Sequence, residues 1–228
     1  MSRKLLAQEA DVSERYLGQL ELGSGNISVI LLARVAAALN TTLADVLVEP
    51  ARKNRIALIG LRGAGKSTLG AMLAKQLRMP FVELHREIER DAGLPVAEIF
   101  ALYGQSGYRR IEQRSLQRAL DTEQPSVISV GGGIVTDEDA FKLLLDRCYT
   151  VWLRASPEEH MTRVQAQGDL RPMAGNAEAM IELKRILASR TPLYSRADAI
   201  VDTSGETPQE SLARLRQAVS GHLSNHKE

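Results

Sequence analysis

The segment that most constrains this chain is Gly60-Leu61-Arg62-Gly63-Ala64-Gly65-Lys66-Ser67-Thr68, which directly follows the apolar run Arg55-Ile56-Ala57-Leu58-Ile59. A short apolar run ending in glycine reads as a buried parallel strand. Gly60 to Ser67 fit G-x-x-x-x-G-K-[ST] and lead into a helical pattern, the setting this phosphate-binding loop requires. Gly60, Gly63 and Gly65 permit backbone angles that turn successive N–H groups inward. Those donors and the positive end of the next helix surround phosphate oxygens. Gly60, Gly63, Ala64, Gly65, Lys66, Ser67 and Thr68 are therefore the candidate nucleotide-binding residues. Lys66 brings an ammonium to the terminal phosphates, and the Ser67 hydroxyl suits Mg²⁺ carried by ATP or ADP. A chance glycine-rich turn is the alternative, outweighed because motif and context agree. The motif implies anion binding and does not by itself imply phosphoryl transfer.

The rest of the chain divides into two kinds of pattern. Residues 1 to 50 carry apolar residues at helical spacing (Leu5, Leu6, Val12, Leu17, Leu20, Ile27, Leu31, Leu32, Val35, Leu39) and no strand pattern. Ser13 is placed to cap a helix starting at Glu14, Gly23-Ser24-Gly25-Asn26 to end it, and Asn40 to stop the helix from Val29 to Leu39. Glu49-Pro50-Ala51-Arg52-Lys53-Asn54 marks the boundary, with a second domain from residue 54 to 228. Beyond it, strand-like runs at Pro80-Phe81-Val82, Ser126 to Val130, Tyr149 to Leu153 and Ala199 to Asp202 alternate with helical patterns. That alternation predicts an α/β domain, a parallel sheet with helices on both faces. Leu212, Leu215, Ala218, Val219 and Leu223 predict a closing amphipathic helix.

Bulk properties exclude some classes. Of 228 residues, 44% are hydrophobic and 25% charged, and the formal net charge of +1 favours neither nucleic acid nor a membrane surface as partner. The single cysteine, Cys148, excludes an internal disulfide and suits a reducing cytoplasm. No run approaches the ~18 apolar residues of a membrane span, and no signal peptide is visible. No transition-metal site is expected.

From about residue 54 onward the chain resembles shikimate kinase. The residues that carry this are the phosphate loop, Gly107-Tyr108-Arg109-Arg110-Ile111-Glu112, Gly131-Gly132-Gly133, Arg171-Pro172, Arg190 with Tyr194, and Val201-Asp202-Thr203, in order and at the family's spacing. The resemblance implies a five-stranded parallel sheet of the nucleoside-monophosphate-kinase type. It implies that Arg109 and Arg190 grip a substrate carboxylate, that Gly131, Gly132 and Gly133 line the acceptor pocket, and that Arg171 reaches the phosphates from a lid. Read without it, these arginines are solvated charges or surface ion pairs, and Arg110 keeps that reading. The family carries Asp-x-Asp after its second strand, one carboxylate supporting the metal and one orienting the acceptor hydroxyl. Here the pair is Glu83 and His85. Glu83 would assist Mg²⁺ with Ser67. His85 removes a fixed negative charge, although a histidine can serve as a base near neutral pH. As a kinase the chain would rely on Lys66, Glu83, His85 and Arg171.

Residues 2 to 47 resemble the Cro/Xre-type helix-turn-helix family, with Glu14 to Glu21 matching the recognition helix and Asp11-Val12-Ser13 the turn. The resemblance begins at the family's second helix, which implies a truncated start or a degenerate head. Arg15 suits bidentate reading of guanine and Gln19 of adenine, while Arg3, Ser13, Tyr16 and Asn26 suit phosphate or sugar contacts. Residues 1 to 50 hold four basic side chains against six acidic ones, a thin cationic supply for DNA. A small helical interaction module is the alternative.

A Cro-like head on a shikimate-kinase-like body resembles the benzoyl-CoA-responsive transcriptional regulators of benzoate degradation. That implies a homodimeric repressor that leaves operator DNA when the body binds an acyl-CoA or a nucleotide. Three classes compete: this regulator, a shikimate kinase with a vestigial head, and a nucleotide-binding interaction module.

Overall fold

A computed structural model describes residues 1–47, 53–166 and 177–224. The chain divides into two compact units, Met1–Arg52 and Lys53–Glu228. The boundary at Glu49 and Pro50, and the lid arginine Arg171 with Pro172, lie outside the described residues. No described helix is long and apolar enough to cross a membrane.

The first unit is helical: α1 (Arg3–Glu9), α2 (Glu14–Glu21), α3 (Val29–Ala38) and α4 (Leu43–Leu47). Serine hydroxyls cap the first three. Ser2 accepts from Leu5 N at 3.3 Å, Ser13 from Tyr16 N at 3.1 Å and Ser28 from Leu31 N at 3.3 Å, each satisfying an orphan donor of a first turn. Asp11 adopts φ of 55° between α1 and α2, and Asn40 φ of 53° after α3, conformations that short polar residues tolerate. Ala7, Ala10, Leu17 and Val35 form a small buried core, with Leu6, Val12, Leu20 and Ile27 packed against it. Leu5 and Leu39, which helical spacing assigns to the apolar stripe, are exposed. The core is narrower than the stripe, so its edge residues stay in water.

The second unit is a five-stranded parallel sheet in the order β2-β3-β1-β4-β5. The strands are β1 (Ile56–Ile59), β2 (Phe81–Glu83), β3 (Val127–Ser129), β4 (Tyr149–Arg154) and β5 (Ala199–Asp202). β2 and β3 start one residue later than the apolar runs predict. Pro80 has no N–H for the ladder and contributes only its carbonyl, to Val127 N at 2.9 Å. Alternation along each strand sends residues to opposite faces. Ile56 and Leu58 face a layer containing α5 (Lys66–Leu77) and α11 (Pro208–Ser224), where Leu69, Leu73, Leu212, Leu215 and Val219 are buried. Ala57 and Ile59 face α6 (Leu84–Ala92), α7 (Val96–Asp121) and α8 (Glu138–Arg147), which bury Leu84, Leu116 and Phe141. α9 (Pro157–Ala166) and α10 (Ala177–Tyr194) complete the unit. α7 breaks at Gly104, where φ of 65° and ψ of −171° suit glycine alone, and Phe100 on one side of the break stacks on Tyr108 on the other at 4.4 Å.

Carboxyl ends of parallel strands are where such sheets collect ligands, and the turn after β1 shows how tightly this edge is built. Gly60 sits at φ of 140°, and a Cβ there would lie 2.4 Å from the Leu153 carbonyl of β4. Gly60→Ala should therefore lower unfolding free energy by ~3 kcal/mol. Leu73→Ala, which empties a buried site under β1, should cost ~2–5 kcal/mol. Urea titrations followed by circular dichroism measure both.

Candidate functional site

The loop after β1 wraps the first turn of α5. Gly65 precedes that helix at φ of 87°, and Lys66 opens it. The Lys66 ammonium donates to the carbonyls of Gly60 at 2.8 Å and Leu61 at 2.9 Å. Burial, with Arg62 as a smaller cause, lowers its pKa to about 8. Ser67 and Thr68 are exposed on the same turn. Beneath the loop lies α9. His160, 2% exposed, donates Nδ1–H to the Arg62 carbonyl at 2.8 Å, and burial, helped by Lys66 and Arg163, pushes its pKa down. Arg163 donates to Thr203 Oγ1 at 3.0 Å, to the Thr203 carbonyl at 2.9 Å and to the Gly63 carbonyl at 3.5 Å. These bonds tie the loop to α9 and to the end of β5. A cavity of about 310 Å³ opens there, lined by Gly63, Gly65, Thr68, Arg163, Thr203 and Pro208 among others. Its volume falls in the range of small-molecule pockets.

The glycines at 131–133 follow β3 and face a second cluster. Arg109 on α7 pairs with Glu112 one turn on, and donates to the Gly133 carbonyl at 3.0 Å. Tyr108 donates its hydroxyl to Glu112 at 3.1 Å. Glu112 is 1% exposed; burial raises its pKa, against the opposing pull of Arg109, and burial also raises that of Tyr108. From α10, Arg190 donates to the Gly132 carbonyl at 3.2 Å and Tyr194 to the same oxygen at 2.6 Å. Space is tight here: a Cβ on Gly132 would lie 3.0 Å from the Gly60 carbonyl and 3.1 Å from the Leu61 Cα. The fold thus brings Arg109, Arg190 and Gly131 to Gly133 together. Arg110 is exposed.

The third element is the end of β2. Glu83 precedes α6 without spending its carboxylate on capping, and it is 9% exposed. Its Oε2 lies 2.8 Å from Arg86 Nε, one turn into the helix. His85 is exposed on the same turn, and no hydrogen bond to it is found among the described residues. The expected metal donors, Ser67 and Glu83, thus comprise one hydroxyl and one carboxylate already neutralised by a guanidinium. No described cluster of three acid, histidine or cysteine side chains could hold a metal. One hydroxyl and one carboxylate are the side chains that would share a Mg²⁺ ion with ligand phosphates.

In the helical unit Arg15 and Gln19, four residues apart on α2, are both exposed and share a helix face. Arg3 is held by Glu21 at 2.5 Å, so one expected phosphate contact starts inside an ion pair. Tyr16 donates its hydroxyl to the Asn26 carbonyl, tying α2 to the loop after it.

A parallel sheet with a phosphate loop at the carboxyl end of its central strand defines a P-loop kinase fold. The family model described as Shikimate kinase matches residues 62–220, and the model described as Helix-turn-helix matches residues 1–46. A shikimate kinase of Nitrobacter winogradskyi is 41% identical over 155 residues, covering 68% of this chain and 71% of that protein. One from Zymomonas mobilis is 38% identical over 164 residues, covering 72% and 92%. Among solved structures, the shikimate kinase of Bacteroides thetaiotaomicron aligns with a TM-score of 0.67 at 31% identity over 73% of this chain and 98% of its own. That of Acinetobacter baumannii in complex with shikimate aligns with a TM-score of 0.67 at 28% identity, over 76% and 95%. The chain belongs to the shikimate kinase family, and it carries a helix-turn-helix segment ahead of that domain.

Sequence reasoning missed Arg86, His160, Arg163 and Pro208. Arg86 and Arg163 stand three and four residues from an acid, so each reads as an ordinary surface pair; a buried histidine carries no local signal. Glu112 lies inside a motif that was read, but without a role.

Two outcomes follow. Glu112→Ala strips the buried partner from Arg109 and Tyr108, and chemical denaturation should show a loss of ~3–5 kcal/mol. The Lys66 charge is complete well below its pKa of about 8 and is lost as pH rises through that value. Affinity for ADP, measured by calorimetry, should accordingly stay flat near pH 7 and decline above ~8, by up to tenfold per pH unit. Lys66→Arg should abolish that decline.

Proposed function

We propose that this chain is a ligand-responsive transcription regulator, a dimeric repressor whose kinase-like unit senses an acyl-CoA or a nucleotide. The carrying observation is a phosphate loop kept complete beside an acceptor-end acid pair that keeps one carboxylate: Glu83 is paired with Arg86, and His85 stands where the family pattern has its second acid. Binding chemistry is retained while the chemistry that would deprotonate a hydroxyl is weakened. Coenzyme A carries an adenosine diphosphate with an extra phosphate, which suits the loop and the adjoining cavity. A planar base can lie against the Arg163 guanidinium, a surface that stacks on aromatic faces. Losing a carboxylate also makes the acceptor end more tolerant of an aromatic acyl group, as the resemblance to benzoyl-CoA-responsive regulators implies. The exposed Arg15 and Gln19 have no role in packing and suit base edges in a major groove. Linkage requires the ligand to favour the DNA-free state, and a tenfold loss of operator affinity needs ~1.4 kcal/mol of coupling.

The intact anion grip of Arg109 and Arg190 around Gly132 and Gly133 favours a second reading, a shikimate kinase of low activity. Losing a general base typically costs ~10²–10⁴-fold in rate. A coupled assay with ATP, Mg²⁺ and shikimate should therefore give turnover well below the ordinary ~10 s⁻¹, and His85→Asp should raise it. Full turnover by the unaltered protein would promote the kinase reading. For the regulator, a labelled promoter fragment is titrated with the full chain in the presence of benzoyl-CoA, coenzyme A or ATP. At least one is expected to weaken binding, and Lys66→Ala to remove that response. DNA binding that none of them alters would refute the sensor reading.

A further inference from the structure

The phosphate-loop cavity has a counterpart at the opposite end of the sheet. Pro80 and Ser126 directly precede β2 and β3, so the space they help to line opens at the amino ends of those strands, beside α6 and the last turns of α7. Its volume is about 350 Å³, again in the range of small-molecule pockets. Among the described residues, none that lines one cavity lines the other. Two ion pairs stand in this wall. Arg90 Nη1 lies 2.6 Å from Glu87 Oε2, and Arg118 Nη1 lies 2.9 Å from Asp91 Oδ1. In both pairs the acid is the more buried partner; the Asp91 side chain is 12% exposed and that of Arg118 is 58% exposed. Ser115 donates its hydroxyl to the other Asp91 oxygen at 2.5 Å, so two groups of α7 fix this one acid of α6. An ionised carboxylate offers about four lone-pair sites and a guanidinium five donors. The Asp91–Arg118 pair therefore keeps its internal bonds and still has an acceptor and donors for a guest. Pro80, Val82 and Ala119 make part of the wall apolar. Ser126, also in the wall and 4% exposed, carries a hydroxyl with no hydrogen-bond partner among the described residues, whereas buried polar groups ordinarily have one.

Charge decides what class of guest fits. The wall holds two acids and two arginines, so its formal charges cancel. A lone carboxylate would meet both acids as well as both guanidinium groups, and a lone amine would meet the reverse. A dipolar molecule turns each of these contacts to advantage. The ammonium and carboxylate of an α-amino acid sit on one carbon, close enough together to address the two halves of a single ion pair. We propose that this cavity is a second ligand site, which binds a free α-amino acid with an apolar side chain. The amino acid's carboxylate accepts from Arg118, its ammonium donates to Asp91, and its side chain lies against Pro80, Val82 and Ala119. The site is separate from the phosphate loop and does not rest on the reading of that loop. No bond is made or broken in it, so it is a place of binding alone.

Calorimetric titration of L-leucine and L-phenylalanine into the full chain tests this. Each is compared with two analogues that keep its side chain and lose one charge: 4-methylpentanoate and 3-methylbutylamine for leucine, 3-phenylpropanoate and 2-phenylethylamine for phenylalanine. At least one amino acid should bind, and about tenfold or more tightly than either of its analogues. Arg118→Gln removes the donor for the carboxylate and should weaken that binding by about tenfold. Ala119→Leu fills the cavity from α7 and should abolish it. A thermal melt of each variant checks that the fold survives, and Arg118 is exposed enough for its replacement to be tolerated. Failure of both amino acids to bind overturns the proposal. So does binding no tighter than that of the single-charge analogues, or binding that a folded Ala119→Leu variant retains in full. None of these outcomes touches ADP binding at the phosphate loop, so failure here and failure of that reading are distinct.

Discussion

The close approach of the chain at Gly60 to the carbonyl of Leu153 underlies the whole site. β1 and β4 are neighbours in the sheet, so the backbone leaving β1 must turn against β4 before it can wrap α5. Only a residue without Cβ and with a positive φ fits there. Once that turn is made, the Lys66 ammonium reaches back to the carbonyls of Gly60 and Leu61, and His160 and Arg163 hold the loop from below through those of Arg62 and Gly63. The loop is therefore preorganised by its own backbone and by α9, at the cost of partly desolvating a lysine.

Charge is distributed around this loop with little negative surplus. Among the described residues, Glu112 pairs with Arg109, Glu83 with Arg86 and Glu159 with Arg163. Lys66 and Arg190 donate to backbone carbonyls instead. Such an arrangement suits negatively charged ligands.

The two units obey different rules. The kinase-like unit buries both faces of a sheet and carries its site on strand ends. The helical unit has a core of four fully buried residues and leaves Leu22, Val29 and Ile30 in water. With so small a core, its stability leans on the serine caps and on the turn at Asp11, each worth of order 1 kcal/mol or less.

The sequence alone determined the phosphate loop, the alternation of strands and helices and the Ser13 cap, because each is written in residues adjacent along the chain. Gly60 to Ser67 binds through its own backbone, and strand periodicity is local by nature. Strand order came only from the structure, since ladder pairing joins residues far apart in sequence. What tertiary structure alone decided is which partner each charge takes. Arg86 and Arg163 each stand one helical turn from an acid, and both look like surface pairs in the sequence. Folding buries the carboxylate of one and brings the other to Gly63 and Thr203. His160 lies about a hundred residues from the loop it supports. Burial and long-range contact set these roles, and neither is a property of residue type or spacing.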